Sequence, residues 1–174
     1  MKINFLEISK WSTQLDGLLE GENDFATISE KILEKIARGL CCQWAVYWKV
    51  DDENHLLIPY SKWSEMTSKA SDLDRHTTTR KLSLNEGAAG QVWRKKKTLW
   101  TLDLNLDMCL PRSLDATSSG LNGGIWFPVM YASKVVGIVE LLGTDIEMPT
   151  EGLMSALESF GAVFGYKIKI NGYA

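Results

Sequence analysis

Hydrophobic side chains recur every three or four positions in three long stretches of the chain, and this spacing predicts three helices. The stretches cover residues 3–20, 25–39 and 150–170. In each of them the apolar residues lie along one side, as they do in a helix that packs one face against a core. Asn and Asp at positions 23 and 24 form an N-cap signal for the second helix, and Gly39 is expected to end that helix.

Between the second and the last helix the pattern changes to the period of β-strands. Residues 43–50 place apolar side chains on both alternating sets, which predicts a strand that is covered on both faces and lies in the middle of a sheet. Further strands are predicted at 55–63, 98–103, 125–131 and 135–142. The polar turn at 51–54 and the Ala132-Ser133 turn are expected to join two pairs of these strands into hairpins.

The rest of the central region predicts a layer of loops and short helices. A glycine turn leads into a short helix that ends near Lys96, and another short helix is expected around 114–119. Residues 64–80 contain few apolar anchors and are predicted to be the most mobile segment. The order of elements indicates an α+β fold. Its antiparallel sheet of five or six strands would carry long helices on one face and the loop layer on the other.

Composition and charge narrow the class of protein. The 174 residues suit one compact domain, and 45% hydrophobic with 24% charged residues is an ordinary globular composition. A net charge of −3 gives no general attraction to nucleic acid or to anionic membranes, so neither is an expected partner. No apolar run reaches the length of a membrane span, and the three cysteines are expected to be reduced thiols. These features predict a cytoplasmic protein.

Three segments of the chain resemble GAF domains of bacterial signalling proteins. The first, Asn85-Glu86-Gly87-Ala88-Ala89-Gly90-Gln91-Val92-Trp93, is similar to the family's Gly-Glu-Gly-x-x-Gly-x-x-Trp segment. The second, Gly120-Leu121 to Phe127-Pro128-Val129, is similar to a Gly-Leu strand that ends in Pro and a hydrophobic residue. The third, Val135-Val136-Gly137-Ile138-Val139-Glu140-Leu141, is similar to the family's Val-x-Gly strand with its Glu. All three occur in the family's order.

The resemblance implies a GAF-like fold, related to that of PAS domains, over residues 25–174. Residues 1–24 would then form an N-terminal helix and a candidate dimerisation segment. The resemblance also implies a signal-input module that binds a small molecule or mediates dimerisation. Such a module regulates a sensor histidine kinase of a two-component system, a cyclic-di-GMP synthase or hydrolase, or a transcription activator. The GAF region itself is expected to be non-catalytic.

The implied ligand pocket lies between the sheet and the loop layer at 98–120. Its expected lining residues are Trp100, Met108, Cys109, Leu114, Phe127 and Glu140. Glu140 is the most informative of them, because it shares a strand face with Val136, Ile138 and Leu142, and a carboxylate in such a row needs a partner or solvent. Either a ligand contacts this carboxylate, or backbone N–H groups of the covering loop satisfy it. The second interpretation is favoured.

Neither a catalytic residue, a metal site nor a cofactor is expected. In the bilin-binding branch of the family a cysteine near Cys109 carries the chromophore and is usually followed by His, but here Leu110 follows. His55 and His76 are separated and cannot build a structural zinc site with cysteines this scattered. A haem bound through His76 has no further support in the sequence.

An alternative function, implied by another branch of the family, is the reduction of free methionine sulfoxide. Enzymes of this branch use cysteines that cluster on the pocket loops. Cys41 and Cys42 follow the second helix, at the far end from the loop layer, so Cys109 lacks the resolving partner that this chemistry requires. An inert, buried or half-buried thiol is therefore favoured for Cys109.

Two further motifs have structural interpretations. Gly87-Ala88-Ala89-Gly90 lacks the spacing and the Lys-Ser pair of a phosphate-binding loop, and it is interpreted as a tight turn with close helix packing. The basic run Arg94-Lys95-Lys96-Lys97 is interpreted as a set of cations at a helix C-terminus, where the helix dipole favours them.

Homodimerisation through the terminal helices is predicted from their apolar stripes. The helix at 25–39 competes with them for one face of a small sheet, so part of these stripes should stay exposed in a monomer. The residues concerned are Phe5, Ile8, Trp11, Leu15, Phe160, Phe164 and Ile168. The alternative is a monomer in which the first helix folds back on the closing helix.

Overall fold

The computed structural model describes residues 5–19, 24–66, 71–106 and 112–173, and these ranges contain six helices and six strands. The helices are α1 (Phe5–Leu19), α2 (Phe25–Gly39), α3 (Ser71–Thr79), α4 (Gly87–Lys95), α5 (Ser113–Ser118) and α6 (Glu151–Ile170). The strands are β1 (Trp44–Asp51), β2 (Leu56–Ser64), β3 (Leu82–Ser83), β4 (Leu99–Thr101), β5 (Gly123–Tyr131) and β6 (Lys134–Gly143).

The strands form one antiparallel sheet in the order β3-β2-β1-β6-β5-β4. Both predicted hairpins are present, and β1 lies between β2 and β6, as expected for a strand with apolar side chains on both faces. Helices cover both faces of this sheet. The α+β class and the sheet of five or six strands are therefore confirmed.

The long helices lie on one face of the sheet in two layers. α2 and α6 pack directly on the strands, while α1 packs against α6 and α2. The stripe residues that the structure describes are all at most 5% exposed: Ile8, Trp11, Leu15, Phe160, Phe164 and Ile168. The expectation that part of this set stays exposed in a monomer is wrong for these six, because α1 needs no place on the sheet itself. The side chain of Phe5 lies outside the described residues.

The other face of the sheet is covered by α3, α4, α5 and the loops between them. Seven buried apolar residues of this layer, three of them alanines, pack on the sheet. They are Leu73, Ala88, Ala89, Val92, Leu104, Ala116 and Leu121. Gly90 at the start of α4 lies against the backbone of Ser83, where a Cβ would come within 2.6 Å of the carbonyl oxygen. Close packing of this glycine turn is therefore confirmed.

Residues 71–79 form a helix that the sequence pattern does not predict. Its sequence is polar and ends in three threonines, so its intrinsic helix propensity is low. Tertiary contacts hold it instead. Leu73 is fully buried, and the Asp74 carboxylate accepts a hydrogen bond from Trp44 Nε1 at 2.8 Å. Residues 67–70 of the segment predicted to be mobile lie outside the described residues.

Candidate functional site

A carboxylate ringed by tryptophans lies in the middle of the loop-covered face. Glu140 of β6 pairs in register with Val46 of β1 and with Trp126 of β5. Trp44 and Trp48 flank Val46 on the same side of β1, because side chains alternate along a strand. The sheet alone thus surrounds one buried acid with three buried indoles.

Glu140 is satisfied by side chains. Arg112 Nη2 donates to its Oε1 at 2.8 Å and to its Oε2 at 2.9 Å, and Trp48 Nε1 donates to Oε2 at 2.7 Å. The favoured interpretation, in which backbone N–H groups of the covering loop satisfy this acid, is wrong in this respect. The loop layer does provide the partner, but through a side chain.

Arg112 is the residue of this buried site that sequence patterns did not reveal. Its side chain is 5% exposed, its Nη1 donates to the Thr77 hydroxyl, and its Cζ lies 5.7 Å from the ring centre of Trp44 and 5.2 Å from that of Trp48. A signal for it exists in the sequence, because Arg112 is the only Arg or Lys between Thr98 and Gly120. A buried acid facing that layer needs a cation from it.

Two buried donors of the residues around Glu140 have no hydrogen-bond partner in the part of the chain that the structure describes. They are Arg112 Nε and Trp126 Nε1. A buried donor without an acceptor costs about 1–3 kcal/mol relative to one that is paired. The face therefore combines a fully paired carboxylate with donors that could still bind an acceptor.

A second set of polar contacts ties the covering helices together and to the sheet. Asp74 of α3 accepts from Trp44 through one oxygen and pairs with Lys62 Nζ of β2 at 2.7 Å through the other. His76 Nδ1 of α3 lies 2.7 Å from Asp115 Oδ2 of α5. Because Asp74 and His76 belong to α3, this helix links the strands to α5 and to the Arg112 site.

A bulge changes which valine shares the face of Glu140. The β5–β6 register shifts between Val129 and Met130, so Val135 rather than Val136 packs on the loop-covered face. Val136 packs against the helix-side core instead. The extra residue of a bulge reverses the alternation beyond it, which a strict period of two does not anticipate.

Trp100 and Phe127 lie on the opposite face from Glu140. Phe127 follows Trp126 on β5 and is fully buried on the helix side, with its ring 6.2 Å from that of Phe160. Trp100 pairs in register with Ile125 and packs on the same side. The prediction that these two residues and Glu140 line one pocket is therefore not supported, because one position along a strand changes the face.

The remaining predicted lining residues belong to the loop layer. Leu114 on α5 is 77% exposed and therefore does not belong to the buried Arg112–Glu140 site. Met108 and Cys109 lie outside the described residues. Of the four predicted residues that the structure describes, Glu140 alone lies inside the buried site.

Trp100 instead borders a surface groove at the edge of the sheet. The groove has a volume of about 380 Å³ and is lined by Val92, Lys95, Lys97, Thr98, Leu99, Trp100, Leu102, Met148, Pro149 and Met154. The Trp100 indole donates to the Glu147 carbonyl at 3.1 Å, which holds the ring against the segment before α6. This groove and the Arg112–Glu140 site are separate.

The two described thiols differ in burial. Cys42 is buried, and burial raises the pKa of its thiol far above the ordinary range, so it is not a thiolate near neutral pH. Cys41 is exposed. Within the described ranges, His, Cys, Asp and Glu side chains do not come together in groups of three that could hold a metal. In the same ranges, each helix is too short or too polar to cross a membrane.

A sequence profile of the GAF domain matches residues 22–166. The chain belongs to the GAF domain family. The match spans the sheet, the loop layer and most of α6, and it confirms the relationship that the three sequence segments indicate. No curated protein sequence matches the chain significantly.

Solved structures with the same fold include signalling domains and enzymes. The GAF domain of a phosphoenolpyruvate-protein phosphotransferase from Coxiella burnetii aligns with a TM-score of 0.76 at 11% identity, covering 98% of this chain and 99% of that one. The free methionine-R-sulfoxide reductase from Neisseria meningitidis aligns with a TM-score of 0.74 at 13% identity, covering 99% and 95%. At these identities the likeness shows the shared fold.

The expectation that the GAF region is non-catalytic needs correction. The reductase from Neisseria meningitidis, and the structure named fRMsr from Staphylococcus aureus at a TM-score of 0.69, carry the same fold over nearly the whole chain. A GAF fold therefore does not by itself make a chain a non-enzyme.

Proposed function

We propose that this GAF domain is a cytoplasmic signal-input module that binds a small molecule on the loop-covered face of its sheet, at Glu140. The proposed domain covers residues 25–174, with residues 1–24 as a helical extension. The observation that carries the proposal is the buried Arg112–Glu140 pair, which is enclosed by three tryptophans and accompanied by two donors without acceptors among the described residues.

Energetics support a binding role for this face over a packing role. A buried ion pair contributes little net stability, and apolar residues of similar size would serve a core at least as well. Polar groups in an otherwise apolar site are the usual means by which a protein orients a ligand. The covering layer is attached to the sheet by seven buried apolar residues, three of them alanines, and by polar contacts of Asp74 and Arg112, so it could move without disrupting the helix-side core.

The output of the module would be regulated through its terminal helices. α6 packs on β5, and β5 carries Trp126 beside Glu140, so one strand connects the site to the last helix. If the covering layer has two arrangements, a ligand with a higher affinity for one of them would shift the equilibrium toward that arrangement. We propose a kinase, a cyclic-di-GMP enzyme or a transcription activator as the output.

The decisive experiment is native mass spectrometry of freshly purified protein, followed by thermal shift assays with any compound that is released. The wild type is compared with Glu140→Gln and with Glu34→Gln, which alters an exposed carboxylate on α2. The proposal predicts a bound compound whose stabilising effect is lost in Glu140→Gln and kept in Glu34→Gln. Should Glu140→Gln fail to fold, Trp126→Phe removes one unpaired donor and leaves the ion pair intact. Equal binding by all variants would reject the site.

A second candidate function is the reduction of free methionine-R-sulfoxide, the activity for which the Neisseria meningitidis protein is named. The test is turnover of free methionine sulfoxide in the presence of a thiol reductant, measured for the wild type and for Cys109→Ser. Turnover that Cys109→Ser abolishes would establish this function. Turnover that Cys41→Ser abolishes would assign it to the exposed thiol after α2.

We also propose that the domain forms a homodimer through α6, on a surface different from the buried stripes. Ala162, Tyr166 and Ile170 recur every four residues on the exposed side of α6, and Tyr166 and Ile170 are 51% and 54% exposed. Tyr131 lies beside them, with its ring 6.5 Å from that of Tyr166. A second copy packed along this row would cover apolar area that α1 leaves open.

A further inference from the structure

The guanidinium of Arg112 occupies a site with the properties of an organic-cation receptor. It hydrogen-bonds Glu140 and lies within 6 Å of the faces of two tryptophans, at 5.2 and 5.7 Å. Indole faces attract cations through their electron-rich π systems, and sites of this composition bind ammonium and guanidinium groups. Here the cation that fills the site, the guanidinium of Arg112, belongs to the same chain as the residues that surround it.

The two partners come from different layers of the fold. Glu140, Trp44 and Trp48 stand on the two central strands, where hydrogen-bonded neighbours on both sides hold the backbone. Arg112 precedes α5, a helix of six residues in the covering layer, and its carbonyl accepts the Ala116 N–H at 3.0 Å. The acid and the indoles therefore stay in place when the arginine side chain moves.

We infer that Arg112 is an internal substitute for a diffusible ligand, and that this ligand is a small organic cation bearing a guanidinium or ammonium group. The inference rests on the proposed function and names the ligand class for the same site. The cation would bind Glu140 between the faces of Trp44 and Trp48 and displace the Arg112 side chain into the covering layer.

The charge of the site argues against an anionic ligand. Both terminal nitrogens of Arg112 already donate, Nη2 to the two oxygens of Glu140 and Nη1 to Thr77, and among the described residues Nε is the nitrogen without a partner. An anion placed there would also lie close to the Glu140 carboxylate, and two like charges repel strongly in a buried site. A cation that replaces the Arg112 side chain would instead bind the Glu140 carboxylate and the same two tryptophan rings.

Displacement of Arg112 would also provide the regulatory step. The residue joins α5 to α3 through Thr77 and to the sheet through Glu140, and α5 and α3 are joined again by Asp115 and His76. Loss of the Arg112 contacts would leave α5 joined to α3 but would remove its polar link to β6. Ligand binding would thus replace the contact between Arg112 and Glu140 with a contact between the ligand and Glu140.

The test is chemical rescue of Arg112→Ala by methylguanidinium chloride, measured as the shift in unfolding temperature against sodium chloride of equal ionic strength. Arg112→Ala should show a saturable stabilisation with an apparent affinity at least about tenfold higher than in the wild type, where Arg112 competes for the site. Ethylammonium should act in the same way. The double variant Arg112→Ala, Glu140→Gln should lose the effect.

Arg38 provides a matched control within the chain. Its guanidinium also pairs with carboxylates, of Glu34 and Glu65, and lies 5.2 Å from the ring centre of Trp63, but its side chain is 54% exposed. Arg38→Ala should show no specific response to methylguanidinium, because water already solvates that site. A response of equal size in Arg38→Ala, or none in Arg112→Ala, would overturn the inference.

Two complications have defined outcomes. Should Arg112→Ala not fold on its own, recovery of the folded state by methylguanidinium but not by sodium chloride supports the inference, and no recovery rejects it. Should a neutral or anionic compound bind in a Glu140-dependent manner while methylguanidinium and ethylammonium do not, the ligand class is wrong and the ligand-binding function stands.

Discussion

The ring of Trp11 on α1 packs directly against Gly39, the last residue of α2. Gly39 is not needed there for a left-handed backbone, because Leu40 follows it as the cap and Cys41 is the residue with a positive φ of 54°. A side chain at position 39 would overlap the indole. The glycine thus lets α1 dock, which explains why α1 lies against its own chain.

Gly39→Ala is expected to destabilise the protein by about 1–3 kcal/mol, because overpacking at a rigid indole forces α1 away from α2. Gly17→Ala is the control, since a Cβ at that exposed position of α1 meets nothing within 4 Å. The control should be stabilising by about 0.5–1 kcal/mol through helix propensity. Urea unfolding of both variants measures the difference. A stabilising Gly39→Ala would mean that α1 is not docked in solution.

The proposed dimer is expected to depend on the exposed row of α6. Tyr166→Glu with Ile170→Glu should convert a dimer to a monomer at micromolar concentration, since it places two charges in an apolar contact. Trp11→Glu with Leu15→Glu should instead lower the free energy of unfolding, because both residues are buried within one chain. Sedimentation velocity and urea unfolding distinguish the two effects. A wild-type monomer under these conditions would reject the dimer.

Removing one member of the buried pair is expected to be much more harmful than removing both. Arg112→Met should cost about 3–5 kcal/mol, because it leaves the Glu140 carboxylate buried without its cation. The double variant Arg112→Met, Glu140→Gln should recover a large part of that loss. A double-mutant cycle by urea unfolding measures the coupling. Additive losses would show that the two side chains do not interact in solution.

Glu86 is expected to make stability depend on pH in the acidic range. Its carboxylate accepts from the Ser83 backbone N–H at 3.0 Å and from Arg80 at 2.9 Å, and these contacts lower its pKa. A lowered pKa in the folded state contributes stability that is complete above the ordinary Glu pKa of about 4.3 and is lost as the pH falls through the folded value.

Glu86→Gln should therefore destabilise by about 1 kcal/mol at neutral pH, since the group is partly exposed, and the difference should vanish in acid. Glu53→Gln, in the exposed β1–β2 turn, is the control and should change little at any pH. Thermal unfolding between pH 7 and 3 measures both. A difference that grows as the pH falls would contradict the sign.

Amide hydrogen exchange is expected to be faster in α3 than in β6. α3 has one fully buried apolar side chain, Leu73, whereas Val135–Leu142 lie in a central strand between β1 and β5. We expect α3 to exchange at least about tenfold faster, corresponding to roughly 1.4 kcal/mol in opening free energy. Exchange measured by mass spectrometry on residues 71–79 tests this. Equal protection would show that the covering layer opens only with the whole domain.

Local patterns in the sequence were sufficient for most of the elements and for the family. The apolar spacing of α2 and α6 and the short apolar runs of β1 and β6 are each visible within one segment, because they follow from local backbone geometry. Glu140 was also found this way, because a carboxylate among apolar strand residues is visible in one segment. α3 was missed, since its polar sequence has no helical stripe and its stability comes from Leu73 and from Asp74 bound to Trp44.

What surrounds Glu140 was decided only by tertiary structure. The strand register places Trp126 beside Glu140 and turns Phe127 to the helix side. The bulge after Val129 puts Val135 instead of Val136 on the face of Glu140. Arg112 reaches Glu140 across 28 positions of chain. A buried acid needs a partner, but local sequence patterns do not predict how the covering layer folds over the sheet. Only that folding selects the partner, because pairing energies between distant residues depend on positions in space and not on spacing along the chain.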